Sequence, residues 1–150
     1  MVVRPLLKNY NIKVLVELGN RVTDEFSKEQ YKLLIAEKIF VLDYSMFYLI
    51  NKFKSSDRIL KEAYAKAIIM KLREDEYYID DKVLDEILEM VSFDDLMYHG
   101  REAASLDIRE KSIKKFYDRG MKIEDKAELY KKMNLDKVRE KRKVIGNDKY

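Results

Sequence analysis

The sequence contains no cysteine, and only four glycines and one proline among 150 residues. Without cysteine, neither a disulfide framework nor a thiolate-based zinc or redox site can form, and a reducing compartment is the simplest expectation. Sandwiches and barrels need a turn signal roughly every 8–12 residues, which so few glycines and prolines do not supply. The shortage of turn formers therefore argues against an all-β fold.

The chain also has no long hydrophobic run. Lys8, Lys13 and Glu17 interrupt the apolar residues near the N-terminus, and the most apolar stretch, IFVLDYSMFYLI at residues 39–50, contains Asp43. Neither stretch is long and uncharged enough for a signal-peptide core or a membrane span. We therefore expect a cytoplasmic protein that does not enter the membrane.

Charged residues make up 39% of the chain, and hydrophobic residues make up 47%. This composition is typical of amphipathic helices with solvated outer faces. We predict an all-α fold, a multi-helix bundle that forms one domain over residues 1–150. Within it we expect an acidic-centred helical core at residues 1–100 and basic helices at residues 101–150, with a trihelical segment at the C-terminus.

Capping residues predict where individual helices begin and end. Ser27 and Gln30 form a capping-box pattern that predicts a helix from Lys28, and Ser92 with Asp95 gives a similar signal. Gly120 has the position of a left-handed C-cap. The first expected helix covers residues 9–22, with a short strand as the alternative, and the second begins at residue 28. The run at residues 39–50 is expected to form two helices separated near Asp43 and Ser45. Further helices are expected to begin after Ser56 or Asp57, after Asp80 or Asp81, and after Ser92, and the next covers residues 102–119.

Some aromatic and apolar residues fall at helical spacing and are expected in the core. The run at residues 39–50 is predicted as a buried helix pair, with a buried strand as the alternative. Tyr31, Tyr64, Tyr117 and Tyr130 lie on apolar stripes and are predicted to be buried. Tyr10, Tyr77, Tyr78 and Tyr150 are predicted in loops or at ends, where tyrosine is commonly exposed.

Charge is distributed unevenly along the chain. Residues 57–100 contain 6 lysines and arginines against 12 aspartates and glutamates, whereas residues 101–150 contain 16 against 10. The two segments therefore carry net charges of −6 and +6. A basic third of this kind favours an anionic partner, and the alternative is that the two oppositely charged segments attract each other.

The C-terminal third is predicted to form three short helices. The first holds Ile113, Phe116 and Tyr117 on its inner side, the second holds Ile123 and Tyr130, and a third begins after Asn134. A recognition helix needs one apolar side and one side that meets phosphates and base edges. The candidate nucleic-acid or partner-binding residues are Lys131, Lys132, Lys137, Arg139, Lys141, Arg142 and Lys143.

Residues 116–138, FYDRGMKIEDKAELYKKMNLDKV, resemble the trihelical module of resolvase and homeodomain-like helix-turn-helix domains. They are also similar to the tail of the bacterial recombination-promoting nuclease and transposase family, where phrases of the type LLxxGxxIEDIAxxxxxxxxxV are common. The resemblance implies a helix-turn-helix that binds nucleic acid. Lys126 stands where the pattern has a buried isoleucine, and the family's nuclease core has no counterpart in this sequence.

No catalytic motif was found, and we expect a protein that is not an enzyme and needs no cofactor or metal. His99 is the only histidine. With Asp95 one turn earlier it could in principle hold a metal, but a solvent-facing or capping histidine is the expected interpretation. Asp81, Asp85, Glu86 and Glu89 form a dense acidic face on a predicted helix. That face is expected to be solvated, and it is also a candidate for binding a partner.

Two functional hypotheses follow from these features. The first is a small interaction protein that binds a protein or nucleoprotein partner through charged helical faces, for example an accessory, immunity or anti-defence inhibitor of a phage or mobile element. The second is a nucleic-acid-binding protein that contacts DNA or RNA through its basic C-terminal third. The sequence does not determine the oligomeric state.

Overall fold

The computed structural model describes the backbone of residues 9–134 and the side chains of residues 9–121. Over that range every regular element is an α-helix, so the prediction of an all-α fold is confirmed. The helices are α1 (Ile12–Arg21), α2 (Glu25–Val41), α3 (Met46–Ser55), α4 (Arg58–Leu72), α5 (Asp81–Met90), α6 (Phe93–Glu102) and α7 (Leu106–Asn134).

The chain divides into two compact units. The first, Met1–Ile113, contains α1 to α6 and the start of α7, and the second, Lys114–Tyr150, contains the rest of α7. The described residues of the first unit hold the acidic segment 57–100, and most of the basic third falls in the second unit. The prediction of one domain over 1–150 stays a prediction.

Side-chain caps determine where several helices begin. Asn11 accepts a hydrogen bond from the Val14 amide at 2.9 Å, and Ser92 accepts one from the Asp95 amide at 3.1 Å. For α2 the cap is Asp24, which accepts from the Ser27 amide at 2.8 Å. The predicted start at Lys28 is therefore wrong by one turn. The cap is Asp24 and not Ser27, so the helix begins at Glu25 and Ser27 lies within its first turn.

The centre of the first unit is α4, which packs against α1, α2, α3 and α5. Ala63, Ala65 and Ala67 are fully buried, so the neighbouring helices can approach the α4 backbone closely. Ile68 and Ile69 are also fully buried, which means that α4 is covered on more than one side. Tyr64 of this helix is buried, as predicted, whereas Tyr31 of α2 is only half-buried, contrary to the prediction.

The apolar run at residues 39–50 is not a buried helix pair, contrary to the prediction. Asp43 and Ser45 do end one helix and start the next, since Asp43 has a φ of 54° and the Ser45 hydroxyl accepts from the Tyr48 amide. The turn brings Val41, Leu42 and Phe47 to the surface, where they are 74%, 52% and 77% exposed. Only Ile39, Met46 and Leu49 of this run are buried.

The C-terminal part of the fold also differs from the prediction. α7 begins at Leu106 and continues through Gly120 to Asn134, and Gly120 does not have a positive φ. The predicted helix end at Gly120 is therefore wrong, and the second predicted short helix is part of α7. Tyr117 is exposed and Ile113 is nearly half exposed. The prediction that both are core residues is therefore wrong. The predicted third helix, from residue 135, lies outside the described residues.

Substituting alanine at two glycines is expected to change stability in opposite directions. A Cβ at Gly120 would have no heavy atom within 4 Å, so Gly120→Ala should raise the free energy of unfolding by about 1 kcal/mol through helix propensity. A Cβ at Gly19 would lie 2.6 Å from Cδ1 of the buried Ile59 and 3.1 Å from Cβ of Tyr31, so Gly19→Ala should lower it by about 1–2 kcal/mol.

Thermal and urea denaturation followed by circular dichroism at the helix band measures both changes. A loss of stability on Gly120→Ala would contradict the continuous α7, because a glycine in the left-handed C-cap conformation becomes strained when a Cβ is added.

Candidate acidic interaction surface

The structure describes the acidic candidates, whereas most of the basic ones lie outside it. Lys131 and Lys132 belong to α7, but their side chains are outside the described part of the chain. The remaining basic candidates, Lys137, Arg139, Lys141, Arg142 and Lys143, fall beyond residue 134 and lie entirely outside the described residues. Of the two sets of candidate binding residues, the structure therefore describes the side chains of the acidic set only.

Helix α5 presents the predicted acidic face. Val83, Leu84, Ile87 and Leu88 are buried and attach the helix to the first unit. The four acidic candidates, Asp81, Asp85, Glu86 and Glu89, are all exposed, as predicted from the helical period. The side chain of Asp80 begins the helix by accepting from the Lys82 amide at 3.1 Å. One side of α5 is thus core and the other carries carboxylates.

The loop between α4 and α5 extends this acidic face, and its carboxylates were not among the sequence candidates. Glu74, Asp75 and Glu76 are exposed, and Tyr78 is 89% exposed. Residues 74–89 together contain eight carboxylates and one lysine, a net charge of −7. We call these eight exposed carboxylates and Tyr78 the acidic surface. The sequence EDEYYIDD at residues 74–81, which combines acids with two tyrosines, indicates a protein-binding loop, with a packed loop as the alternative.

Several contacts hold the loop in place. Ile79 is buried, so Tyr78 is followed by an apolar anchor. At the loop's other side, the Lys71 ammonium lies 3.0 Å from the Asp43 carboxylate and 5.8 Å from the centre of the Tyr77 ring. The hydrogen bond to Asp43 raises the pKa of Lys71 despite the opposing effect of desolvation. The exposed Tyr78 is therefore flanked by residues that pack.

Lys111 of α7 lies at the edge of the acidic surface. Its ammonium pairs with the carboxylate of Asp81 and lies 3.0 Å from that of Asp107. The hydrogen bonds that the Lys111 ammonium donates to these two carboxylates raise its pKa, with Asp81 contributing more. This cluster joins the first turn of α5 to α7 at one edge of the acidic surface.

His99 is not the solvent-facing or capping histidine that the sequence predicted. Its side chain is fully buried, and neither ring nitrogen has a hydrogen-bond partner among the residues described. Burial, and to a smaller extent the positive charge of Arg73, lower the pKa of His99 to about 4, although Asp95 acts in the opposite direction. His99 is therefore neutral at neutral pH and is part of the core.

Within the described part of the chain, no group of three or more histidines, aspartates or glutamates is arranged to hold a metal ion. The same part of the chain contains no helix that is both long and apolar enough to cross a membrane. The acidic surface combines charge with one exposed aromatic ring, Tyr78, and both can contribute to binding.

Comparisons with known proteins do not add a family. No protein-family model matches the chain, and no curated protein or solved structure shows a match to it.

Proposed function

We propose that this protein binds a partner protein through the acidic surface. The observation that carries the proposal is the concentration of eight exposed carboxylates and Tyr78 within residues 74–89, at a net charge of −7. A surface of this charge attracts a basic surface and accelerates the encounter with it. Nucleic-acid-binding proteins have basic grooves, so a partner of that kind, alone or as a nucleoprotein in the cytoplasm, fits the charge.

The spacing of the carboxylates along α5 is unfavourable for the helix taken by itself. Asp81, Asp85 and Glu89 follow one another at four-residue spacing, and like charges at that spacing destabilise a helix by about 0.2–0.5 kcal/mol per pair. Glu89 also lies near the C-terminus of α5, where the helix dipole favours cations, and the last turn contains no basic residue. A binding role is a reason for the sequence to keep carboxylates at this spacing.

Tyr78 supplies the contact area that carboxylates alone lack. Tyrosine is enriched among the residues that dominate binding energy, because its ring has a large apolar surface and few rotamers to restrict. The ring is 89% exposed, so it contributes little to the fold. In the proposed complex the carboxylates direct the approach of the partner, and Tyr78 enters a pocket on it.

The proposal is tested with a partner captured from the native host and then purified. We expect Tyr78→Ala to weaken the complex by about 2 kcal/mol, the level of an interface hot spot, mainly through faster dissociation. Glu74→Lys/Glu86→Lys should slow association and reduce its dependence on salt. Both are measured by surface plasmon resonance across a salt series.

Matched variants make the test specific to this surface. Glu17→Lys/Glu110→Lys makes the same change of charge at exposed positions of α1 and α7, and Tyr10→Ala removes another exposed tyrosine. These should leave the complex unchanged. Equal losses in the control and test variants would refute the proposal, since net charge alone would then explain binding.

The alternative proposal is nucleic-acid binding by the basic C-terminal third. The charge of residues 101–150, with 16 basic against 10 acidic residues, favours it. The helix-turn-helix interpretation of this segment stays a prediction, although the turn expected at Gly120 is absent from the continuous α7. Loss of DNA or RNA binding in Arg139→Glu/Arg142→Glu, with a steep salt dependence in the wild type, would support this alternative.

A further inference from the structure

The outer face of α3 combines exposed aromatic rings with positive charge. Met46, Leu49 and Phe53 bury the inner face of this helix. On the opposite side Phe47 is 77% exposed, and Asn51, Lys52 and Lys54 are exposed as well. Because Phe47, Asn51 and Lys54 follow one another at four- and three-residue spacing, they lie on one side of the helix.

A second row of side chains lies beside the first. The rings of Tyr44 and Tyr48 are 4.2 Å apart between centroids, and the Lys52 ammonium lies 5.6 Å from the centre of the Tyr48 ring. Desolvation, and to a smaller extent the neighbouring phenols of Tyr48 and Tyr44, raise the pKa of the buried Tyr64 to about 12. These contacts fix the Tyr44 and Tyr48 rings in place before any ligand binds.

Helix α3 itself carries only positive charge. Residues 44–56 contain two lysines and no carboxylate. The flanking residues include carboxylates, since Asp43, paired with Lys71 at 3.0 Å, precedes the segment, and the exposed Asp57 and Arg58 follow it. An anionic ligand on α3 therefore meets Lys52 and Lys54 along the helix. The residues of this face belong neither to the acidic surface nor to the basic C-terminal third.

We propose that the outer face of α3 binds single-stranded nucleic acid, with Phe47 stacking on a base and Lys52 and Lys54 contacting phosphates. Proteins that bind single strands combine a positively charged track with aromatic side chains on which bases stack. Both components are present on α3, as the exposed ring of Phe47 and as two lysines one to two turns farther along the helix. The proposal does not depend on the function proposed for the acidic surface.

The exposed ring is the reason for choosing a single strand. The faces of bases in a duplex are stacked on one another, so a surface ring can stack only on a base that is unpaired or splayed out. An acidic polypeptide would meet the lysines equally well, but it has no bases to stack on Phe47. The chemistry of α3 therefore favours unpaired nucleotides over a duplex or an acidic protein.

Fluorescence anisotropy of a labelled oligothymidine of about 12 nucleotides, a length within the usual site sizes, tests the proposal. We expect Phe47→Ala to weaken binding by about tenfold, as the loss of one stacked base does. Lys52→Gln/Lys54→Gln should reduce the slope of log affinity against log salt by about 1.4, since each single-strand phosphate contact contributes about 0.7.

Matched controls exist on other helices. Phe26 on α2 is 74% exposed, so Phe26→Ala removes an equally accessible ring, and Lys13→Gln/Lys82→Gln removes two exposed lysines from α1 and α5. Both controls should bind like the wild type. Because all of these positions are exposed, the variants should also keep the wild-type melting temperature, which circular dichroism verifies.

Four results would overturn the proposal. They are the absence of binding at low salt, unchanged affinity in both α3 variants, equally tight binding of duplex DNA, and equally tight binding of a labelled polyglutamate. Loss of binding in Arg139→Glu/Arg142→Glu but not in the α3 variants would assign the oligonucleotide to the C-terminal third instead. The outcome at the acidic surface is measured with a partner protein, so failure of either proposal is recognised separately.

Discussion

Lowering the pH from 7 to 5 is expected to reduce the free energy of unfolding by about 2 kcal/mol, because His99 is buried in its neutral form. The pKa of this histidine is lowered from 6.5 to about 4 in the folded protein. The unfolded chain therefore binds a proton in a pH range where the folded protein does not. Stability from this source is complete above pH 7, falls below about pH 6.5, and has lost about 3 kcal/mol near pH 4.

Urea denaturation at several pH values measures this dependence, and the sequence makes the assignment simple. His99 is the only histidine in the chain, so a single imidazole signal can be followed by NMR. In His99→Gln and His99→Phe the slope between pH 7 and 5 should be nearly flat, whatever the absolute stability of each variant. An imidazole that titrates near pH 6.5 in the folded protein would show that His99 is not buried as described.

Replacing Asp95 with alanine is expected to lower the free energy of unfolding by about 3 kcal/mol. Asp95 of α6 lies 2.7 Å from the Lys66 ammonium of α4, and the two side chains are only 13% and 18% exposed. Removing the carboxylate would leave the Lys66 charge in a largely buried position without its counter-ion. The loss should appear in chemical denaturation at pH 7 as a lower midpoint at an unchanged slope.

An exposed ion pair provides the control for this prediction. Asp81 and Lys111 also pair, but their side chains are 80% and 36% exposed, so Asp81→Ala should cost less than about 1 kcal/mol. The double variant Lys66→Met/Asp95→Leu should recover most of the loss, because it leaves no charge buried. Equal costs for Asp95→Ala and Asp81→Ala would mean that the Lys66–Asp95 pair is solvated and not structural.

The helices and the acidic face of α5 were predictable from local patterns. Apolar residues at the spacing of Val83, Leu84, Ile87 and Leu88 define the buried side of a helix and so also define its exposed side. The cap at Ser92 was identified for the same reason, because its hydrogen bond to the Asp95 amide is local. Features that depend on three to seven consecutive residues can be predicted from the sequence alone.

Features that depend on tertiary packing were not predictable. Val41, Leu42 and Phe47 have the hydrophobicity of core residues, and only the turn at Asp43 brings them to the surface. His99 is polar, yet the packing around α6 buries it completely. Gly120 has the same sequence signature as a C-cap, but its backbone is helical. In each case the burial of the side chain or the conformation of the backbone is determined by residues distant in sequence or by a backbone angle, neither of which the local pattern specifies.

The outer face of α3 was not predicted, because the apolar run at residues 39–50 was interpreted as buried. If Phe47 is buried, the lysines that follow it are only the charged end of a helix. Because Phe47 is exposed, they form one surface with it. The acidic loop was indicated by the sequence EDEYYIDD, and the exposure of Tyr78 was predicted from its place in that loop. The exposure of Phe47, in contrast, is not given by composition or periodicity.

The most direct test of the proposed function is photo-crosslinking from the acidic surface in cells of the native host. A photoreactive amino acid replaces Glu86 in one variant and Glu17, an exposed glutamate of α1, in another. We predict a discrete adduct with one basic partner protein from position 86, lost on adding Tyr78→Ala, and no such adduct from position 17. No adduct from position 86, or the same adducts from both positions, would contradict partner binding through this surface.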